Sequence, residues 1–410
     1  MKKLLYLTLL LLGLPLAAQK PFLRTFQERT LRVDYAFSGT ETETVIALDE
    51  LRSIPGWAGR RARLDEVPLK GNGQVCMKDA RSGEVLYRTS FSTLFQEWQA
   101  TDEAEHVRRS FENVFLLPMP RAAADVTVEL YNLRGETVAS LTHRVDPSDI
   151  LIHPAGEQAP EYSYLLQSGP SERCIDVVIV AEGYTAAEMD IFYEDARAAV
   201  ESFRGQEPFA SRMDAFNFIA VPLVSADSGV SIPKRGLWMD TALSSHFDTF
   251  YSDRYLTTLR LRQLHDRLAG IPYEHIIILA NTANYGGGGI YNSYTLTTAH
   301  HAQFRPVVVH EFGHSFAGLG DEYAYGDSDP MYFPDVEPWE PNLTTQADFA
   351  AKWQDMMDVP GIGLFEGGGY QTKGVWRPSD DCRMKTNEAE GFCAVCRRAI
   401  ERMIDFYVSE

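Results

Sequence analysis

The stretch Val307–Tyr323 carries three residue types that can share one metal ion. His310 and His314 are four apart, so on a helix their imidazoles stack on one face and can grip a single cation. Glu311 stands beside the first histidine, within reach of a water on that ion. Gly318 can end the helix one turn after His314, because glycine accepts the left-handed conformation. Three residues later Asp321 offers a hard oxygen. Two imidazoles and a carboxylate, with one position left open, make the donor set of a catalytic zinc site. Zinc lowers the pKa of its water to about 7, and Glu311 is placed to act as general base and then pass the proton to a leaving amine. The alternative is a pair of satisfied histidines on a core helix. The apolar entry Val307-Val308-Val309, the glycine stop and the aspartate that follows weigh against it.

The pattern HExxHxxxGxxD resembles the metzincin clan, with two departures. Gly318 lies one residue later than usual, and the third ligand is an aspartate instead of a histidine. Both departures, and the wording HEFGHSFAGLGDEY, are similar to the immunoglobulin A peptidase family of zinc metallopeptidases. Asp176–Tyr184 (DVVIVAEGY), Asn281-Thr282 with Tyr285–Asn292 (YGGGGIYN), and Cys382-Arg383-Met384 with Phe392-Cys393-Ala394-Val395-Cys396 carry the same resemblance. It covers about 150 to 410, and the preceding region looks like that family's accessory domain. The resemblance implies a zinc endopeptidase acting on a protein or peptide, and it names no particular substrate.

The assignment is therefore one catalytic Zn2+ held by His310, His314 and Asp321, with Glu311 catalytic and not a ligand. Glu322 competes as third ligand, and the glycine-plus-three spacing favours Asp321. Met384 is the candidate for the methionine turn of metzincins, a support beneath the metal. Thr386 stands where some metzincins have a tyrosine that stabilises the transition state, so Tyr323 and Tyr325 become the candidates. Gly286–Gly289 lacks the Gly-Lys-Ser/Thr of a phosphate loop. Its glycines suit close approach of a substrate backbone, and metzincins bind peptides along an edge strand by β-addition.

Elements able to position these residues follow from periodicity. Residues 151–410 alternate apolar runs with helical patterns. Ile175–Val180 and His275–Ala280 suit buried strands. Ala186–Phe203 and Leu256–Leu268 repeat apolar residues at helical spacing. Together they imply an α/β domain, metzincin-like by resemblance. Residues 19–150 alternate with period two: Leu31, Val33, Tyr35 and Phe37 against Arg32, Asp34 and Ala36, then Val75 and Met77, Val85 and Tyr87, and Val126, Val128 and Leu130. That patterning predicts an all-β sandwich with no catalytic cluster of its own, and Cys76 reads as a buried thiol there. The expected whole is a multidomain α/β protein with an N-terminal β-sandwich.

Lys2-Lys3, the apolar run Leu4–Leu16 and Ala17-Ala18 have the layout of a signal peptide ending at residue 18. The expectation is an exported protein, periplasmic or extracellular, with no transmembrane segment in the mature chain. In that setting Cys382 is expected to form a disulfide with Cys393 or Cys396 in preference to a second zinc site. With 38 basic against 57 acidic residues, net charge −19, the chain is no uniform nucleic-acid binder. The acidic, proline-rich stretch from Asp327 to Asn342 reads as a solvated loop at the cleft. Two other classes fit less well: an inactive zinc-containing protein that binds proteins or glycans at a surface, which an intact Glu311 argues against, and a zinc amidase acting on cell-wall peptides.

Overall fold

The computed structural model describes residues 22–326 and 331–408. The expected signal peptide and part of the acidic loop lie outside these residues.

Seven strands dominate the N-terminal region: β1 (Phe26–Gly39), β2 (Thr44–Pro55), β3 (Gly73–Asp79), β4 (Val85–Phe91), β5 (Arg109–Pro120), β6 (Ala124–Tyr131) and β7 (Thr137–Val145). Short helices α1 (Phe22–Thr25), α2 (Leu94–Gln99) and α3 (Asp102–His106) punctuate them. With β8 (His153–Pro154), they form two four-stranded sheets ordered β5-β1-β2-β8 and β4-β3-β6-β7. Leu31, Val33, Tyr35 and Phe37 of one sheet share a core with Val75, Met77, Val126 and Val128 of the other, consistent with a β-sandwich. The Tyr35 and His143 rings meet across it at 5.7 Å. The opposite face of β1 is not solvated as simple alternation suggests, since Arg32 and Asp34 are fully buried. The next region covers that face, and Arg32 bonds Asp34 at 2.7 Å and Asp266 at 2.6 Å.

Beyond it lies a six-stranded sheet, ordered β13-β14-β12-β10-β11-β9. Its strands are β9 (Ser163–Gln167), β10 (Ile175–Glu182), β11 (Phe216–Val221), β12 (His275–Ala280), β13 (Gly287–Ile290) and β14 (Tyr294–Thr298). The four central strands run parallel, and β9 and β13 close the edges antiparallel. Both faces are covered, which is why the central strands read as unbroken apolar runs. Val178, Val180, Ile276 and Ile278 pack towards α5 (Leu261–Leu268) and the β region. Val177, Ile179, Ile277 and Leu279 pack against α4 (Met189–Arg204), α6 (Phe304–Ala317) and α7 (Ala394–Val408). The expected helix from Leu256 forms only from Leu261. Before it Tyr255 bridges Gly287 and Thr257 bridges His246, so the β-branched Thr257-Thr258 pair is held extended by its neighbours. A hairpin of β15 (Phe365–Gly368) and β16 (Gln371–Arg377) precedes the final helix. Among the described residues no helix is long and apolar enough to cross a membrane.

Candidate metal centre and active-site cleft

The helix α6 is buried nearly all round, with Val307, Val308, Val309, Phe312 and Phe316 inside. Three consecutive valines are poor helix formers, so packing rather than propensity holds this helix. It ends at Gly318 in the left-handed conformation, φ 59°. The N–H groups of Gly318 and Leu319 then reach back to the carbonyls of His314 and Gly313. That reversal carries the chain over the helix and sets Asp321 against both histidines.

His310 Nε2 and His314 Nε2 lie 3.1 Å apart, and Asp321 Oδ1 lies 3.1 and 3.3 Å from them. Ligands held tetrahedrally at about 2.0–2.1 Å from one zinc stand roughly 3.3–3.4 Å apart, so the triangle fits such an ion within a few tenths of an ångström. The outward nitrogens are already engaged. His310 Nδ1 faces the Arg383 carbonyl at 2.9 Å and His314 Nδ1 the Leu319 carbonyl at 2.5 Å. Donating there leaves both Nε2 lone pairs pointing inward, the arrangement a metal requires. Asp321 Oδ1 is buried and has no hydrogen-bond partner among the described residues. Its other oxygen accepts a 2.5 Å bond from Tyr370 Oη. Burial opposes charge on Asp321, yet the imidazoles hold it well below the usual carboxylate range. Burial likewise opposes charge on His314, but Asp321 and Glu311 raise it to about 9. The two shifts are one interaction seen from both sides, the carboxylate favouring a charged imidazole and the imidazoles favouring the carboxylate.

The remaining site candidates fall as follows. Glu311 opens into the same cleft, a cavity of about 720 Å³ that also takes in His310, His314, Asp321, Tyr323 and Gly286–Gly289. Burial pushes its carboxyl up, against the pull of the two histidines. Glu322 points the other way and accepts a hydrogen bond from Asn342 at 2.9 Å. Met384 is fully buried, and its sulfur would stand 3.1 Å from a side chain at Gly313, between the two histidines. Tyr325 Oη accepts from Arg254 at 2.5 Å, and Tyr323 packs on the Tyr370 ring at 5.5 Å. Cys76 is only part-buried and lies outside the cleft lining.

The glycine run proves more constrained than close approach of a substrate requires. A side chain at Gly287 would meet Glu311 Oε1 at 2.6 Å, and one at Gly289 would meet the Glu311 carbonyl oxygen at 2.2 Å. Edge strand β13 lies directly on α6, so Gly289, which faces main chain, is needed by the fold itself, and Gly287 leaves room for the Glu311 carboxylate. Its outer rim at Gly287 also bonds Arg254 and Leu256, so β-addition is blocked at that residue.

Two contributors escaped sequence reasoning. Tyr370 lies in the β15–β16 turn, whose backbone zips onto Asp321 and Tyr323 through Gly369 N–H at 2.7 Å and Tyr370 N–H at 3.1 Å. Glu97 of α2 accepts a short hydrogen bond from Tyr255 Oη at the side of the cleft, and burial raises its carboxyl to about 7. The N-terminal region thus supplies part of the wall. No motif marks either residue, because both arrive by tertiary contact.

The expected disulfide is not formed. Cys382, Cys393 and Cys396 are free thiols, and the Cys382 and Cys396 sulfurs are 3.7 Å apart, far beyond a bond of about 2.05 Å. All three converge on one point together with Glu322, so pairing any two would strand the third.

The family model for IgA peptidase M64 matches residues 164–361 and 357–404. This chain belongs to the IgA peptidase M64 family. A second model, for the N-terminus of M64 peptidases, matches residues 21–142. No curated protein matches the chain. Membership makes the protein a peptidase, a hydrolase with a protein or peptide substrate. The M64 match covers His310, His314 and Asp321 as well as the C-terminal turn that packs beneath them.

Proposed function

We propose that the protein is an exported zinc endopeptidase of metzincin-like architecture. The observation that carries the zinc peptidase reading is the triangle of His310 Nε2, His314 Nε2 and the orphaned Asp321 Oδ1, and export rests on the signal-peptide layout of the first 18 residues. When bound, zinc supplies a Lewis acid that polarises a carbonyl and lowers the pKa of water to about 7. The protein's own residues do the rest. His310, His314 and Asp321 would hold the ion, with the Arg383 and Leu319 carbonyls fixing the imidazole tautomers. Tyr370 fixes the Asp321 carboxylate. Glu311, which opens into the same cleft without joining the ligand triangle, would take a proton from the attacking water and return it to the leaving amine. Met384 acts as a methionine-turn support under Gly313. Residues 19–150 serve as the accessory domain and 151–410 as the catalytic one.

A peptide library incubated with the zinc-loaded protein and read by mass spectrometry tests the reading. Internal cleavage that stops on chelation and returns with zinc supports it. Intact peptides at every zinc level refute it.

A further inference from the structure

We infer a second metal site, structural in character, in which Cys382, Cys393, Cys396 and Glu322 hold a zinc ion behind the catalytic centre. The four ligand atoms lie within 4.8 Å of one another, and none of the four residues is more than 7% exposed. Thiolates at about 2.3 Å from one zinc stand roughly 3.8 Å apart at tetrahedral angles. Cys382 and Cys396 are at 3.7 Å. Glu322 Oε1 lies 3.1 Å from the Cys396 sulfur, near the roughly 3.5 Å that mixed oxygen and sulfur ligands give.

The surroundings suit a cation. Glu322 is fully buried, its Oε2 has no hydrogen-bond partner, and no basic side chain pairs with it among the described residues. A carboxylate so placed is costly unless a positive charge joins it. Asn342 Nδ2 donates to Glu322 Oε1 at 2.9 Å, orienting it as outer-shell groups orient ligands. The Cys393 backbone N–H points at the Cys382 sulfur, 3.4 Å away. Cys393 immediately precedes α7 and Cys396 sits in its first turn, where the helix N-terminus favours thiolates. Four protein ligands with no open position make a structural site, and thiolates with one carboxylate suit zinc better than calcium or magnesium. Binding displaces the thiol protons.

The consequence lies next door. Glu322 follows Asp321 directly, and its N–H bonds the Met384 carbonyl at 2.8 Å. Cys382 begins the turn whose Arg383 carbonyl fixes His310. One ion there ties the Asp321 segment, the Met384 turn and α7 together.

The test uses the full chain with both histidines removed, His310→Ala with His314→Ala, so that the outcome does not depend on the catalytic ion. Metal analysis should find one zinc per chain in this variant and two in the parent. Reconstituted with cobalt(II), the variant should show intense thiolate-to-cobalt charge-transfer absorption, which a His-His-Asp site cannot produce. Cys393→Ser in the parent should lose one equivalent. If that variant fails to fold, the histidine variant still decides. A histidine variant with no bound metal and no charge-transfer band overturns the inference, as does a mapped disulfide from Cys382 in the native protein.

Discussion

Replacing Gly287 by alanine should separate the role proposed for Glu311 from that of the His310, His314 and Asp321 triangle. The added methyl group would stand 2.6 Å from Glu311 Oε1 and about as close, 3.0 and 3.1 Å, to Cδ and Cγ. Carbon and oxygen need roughly 3.4 Å or more, so either the carboxylate turns away by most of an ångström or β13 lifts off α6. Overpacking of this kind costs about 1–3 kcal/mol. If that cost falls on the reactive position of Glu311, it slows the reaction by roughly 5- to 150-fold. His310, His314 and Asp321 are untouched, so metal content and melting temperature should stay near those of the parent. Gly289→Ala provides the contrast. Its methyl meets main chain, the Glu311 carbonyl oxygen at 2.2 Å, and His314 Cβ at 2.8 Å. Those atoms cannot yield without moving the helix, so melting temperature and metal content should both fall. The assay is the cleavage rate of a quenched fluorescent peptide, with metal analysis and thermal melts alongside. Parent-like cleavage by Gly287→Ala would refute the placement of Glu311 beneath this strand.

Tyr370→Phe removes the bond to Asp321 Oδ2 and should weaken zinc binding about 10- to 100-fold, the usual cost of losing an outer-shell partner. Chelator competition measures it, and unchanged affinity would show that the tyrosine does not position the ligand. His275 lies among the Phe316, Tyr407 and Phe312 rings, at 4.9, 5.1 and 6.0 Å, and burial lowers its pKa to about 3. The folded protein therefore keeps it neutral while the unfolded chain protonates it below about 6.5. Its stabilising contribution is present above that pH and is lost as pH falls towards 3. Between pH 7 and pH 5 the loss is about 2 kcal/mol. Urea unfolding of His275→Phe should show a shallower acid dependence than the parent by that amount, and identical pH profiles would contradict the argument.

Much of this was legible in sequence wherever the signal is local. The i, i+4 histidines, the glycine stop and the apolar runs of β10 and β12 depend on near neighbours, and the structure forms the corresponding elements. Where partners come from afar, the sequence was silent or misleading. Arg32 and Asp34 look like the wet face of a strand, but α5 covers them and Asp266 satisfies them. Leu256 and Leu259 fit a helical period, yet bridges to neighbouring segments hold Tyr255 and Thr257 extended. Tyr370 and Glu97 join the cleft through a hairpin and a separate β region. The glycine-plus-three spacing favoured Asp321 over Glu322 but did not by itself settle the choice. The turn after Gly318 does so, sending one carboxylate to the imidazoles and the next to the thiols. The expected oxidising setting suggested a disulfide for the cysteine cluster, and Glu322, the fourth residue of that cluster, lies 60 residues before Cys382 and gave no local signal.

The most direct test of the zinc peptidase reading compares Glu311→Gln with the parent, each analysed for bound metal and for cleavage of an unstructured protein. Glutamine preserves the shape of the side chain but cannot accept the proton. The variant should retain the parent's full metal complement and lose about 10²–10⁴-fold in rate. A metal-loaded Glu311→Gln that cleaves as fast as the parent would contradict the account.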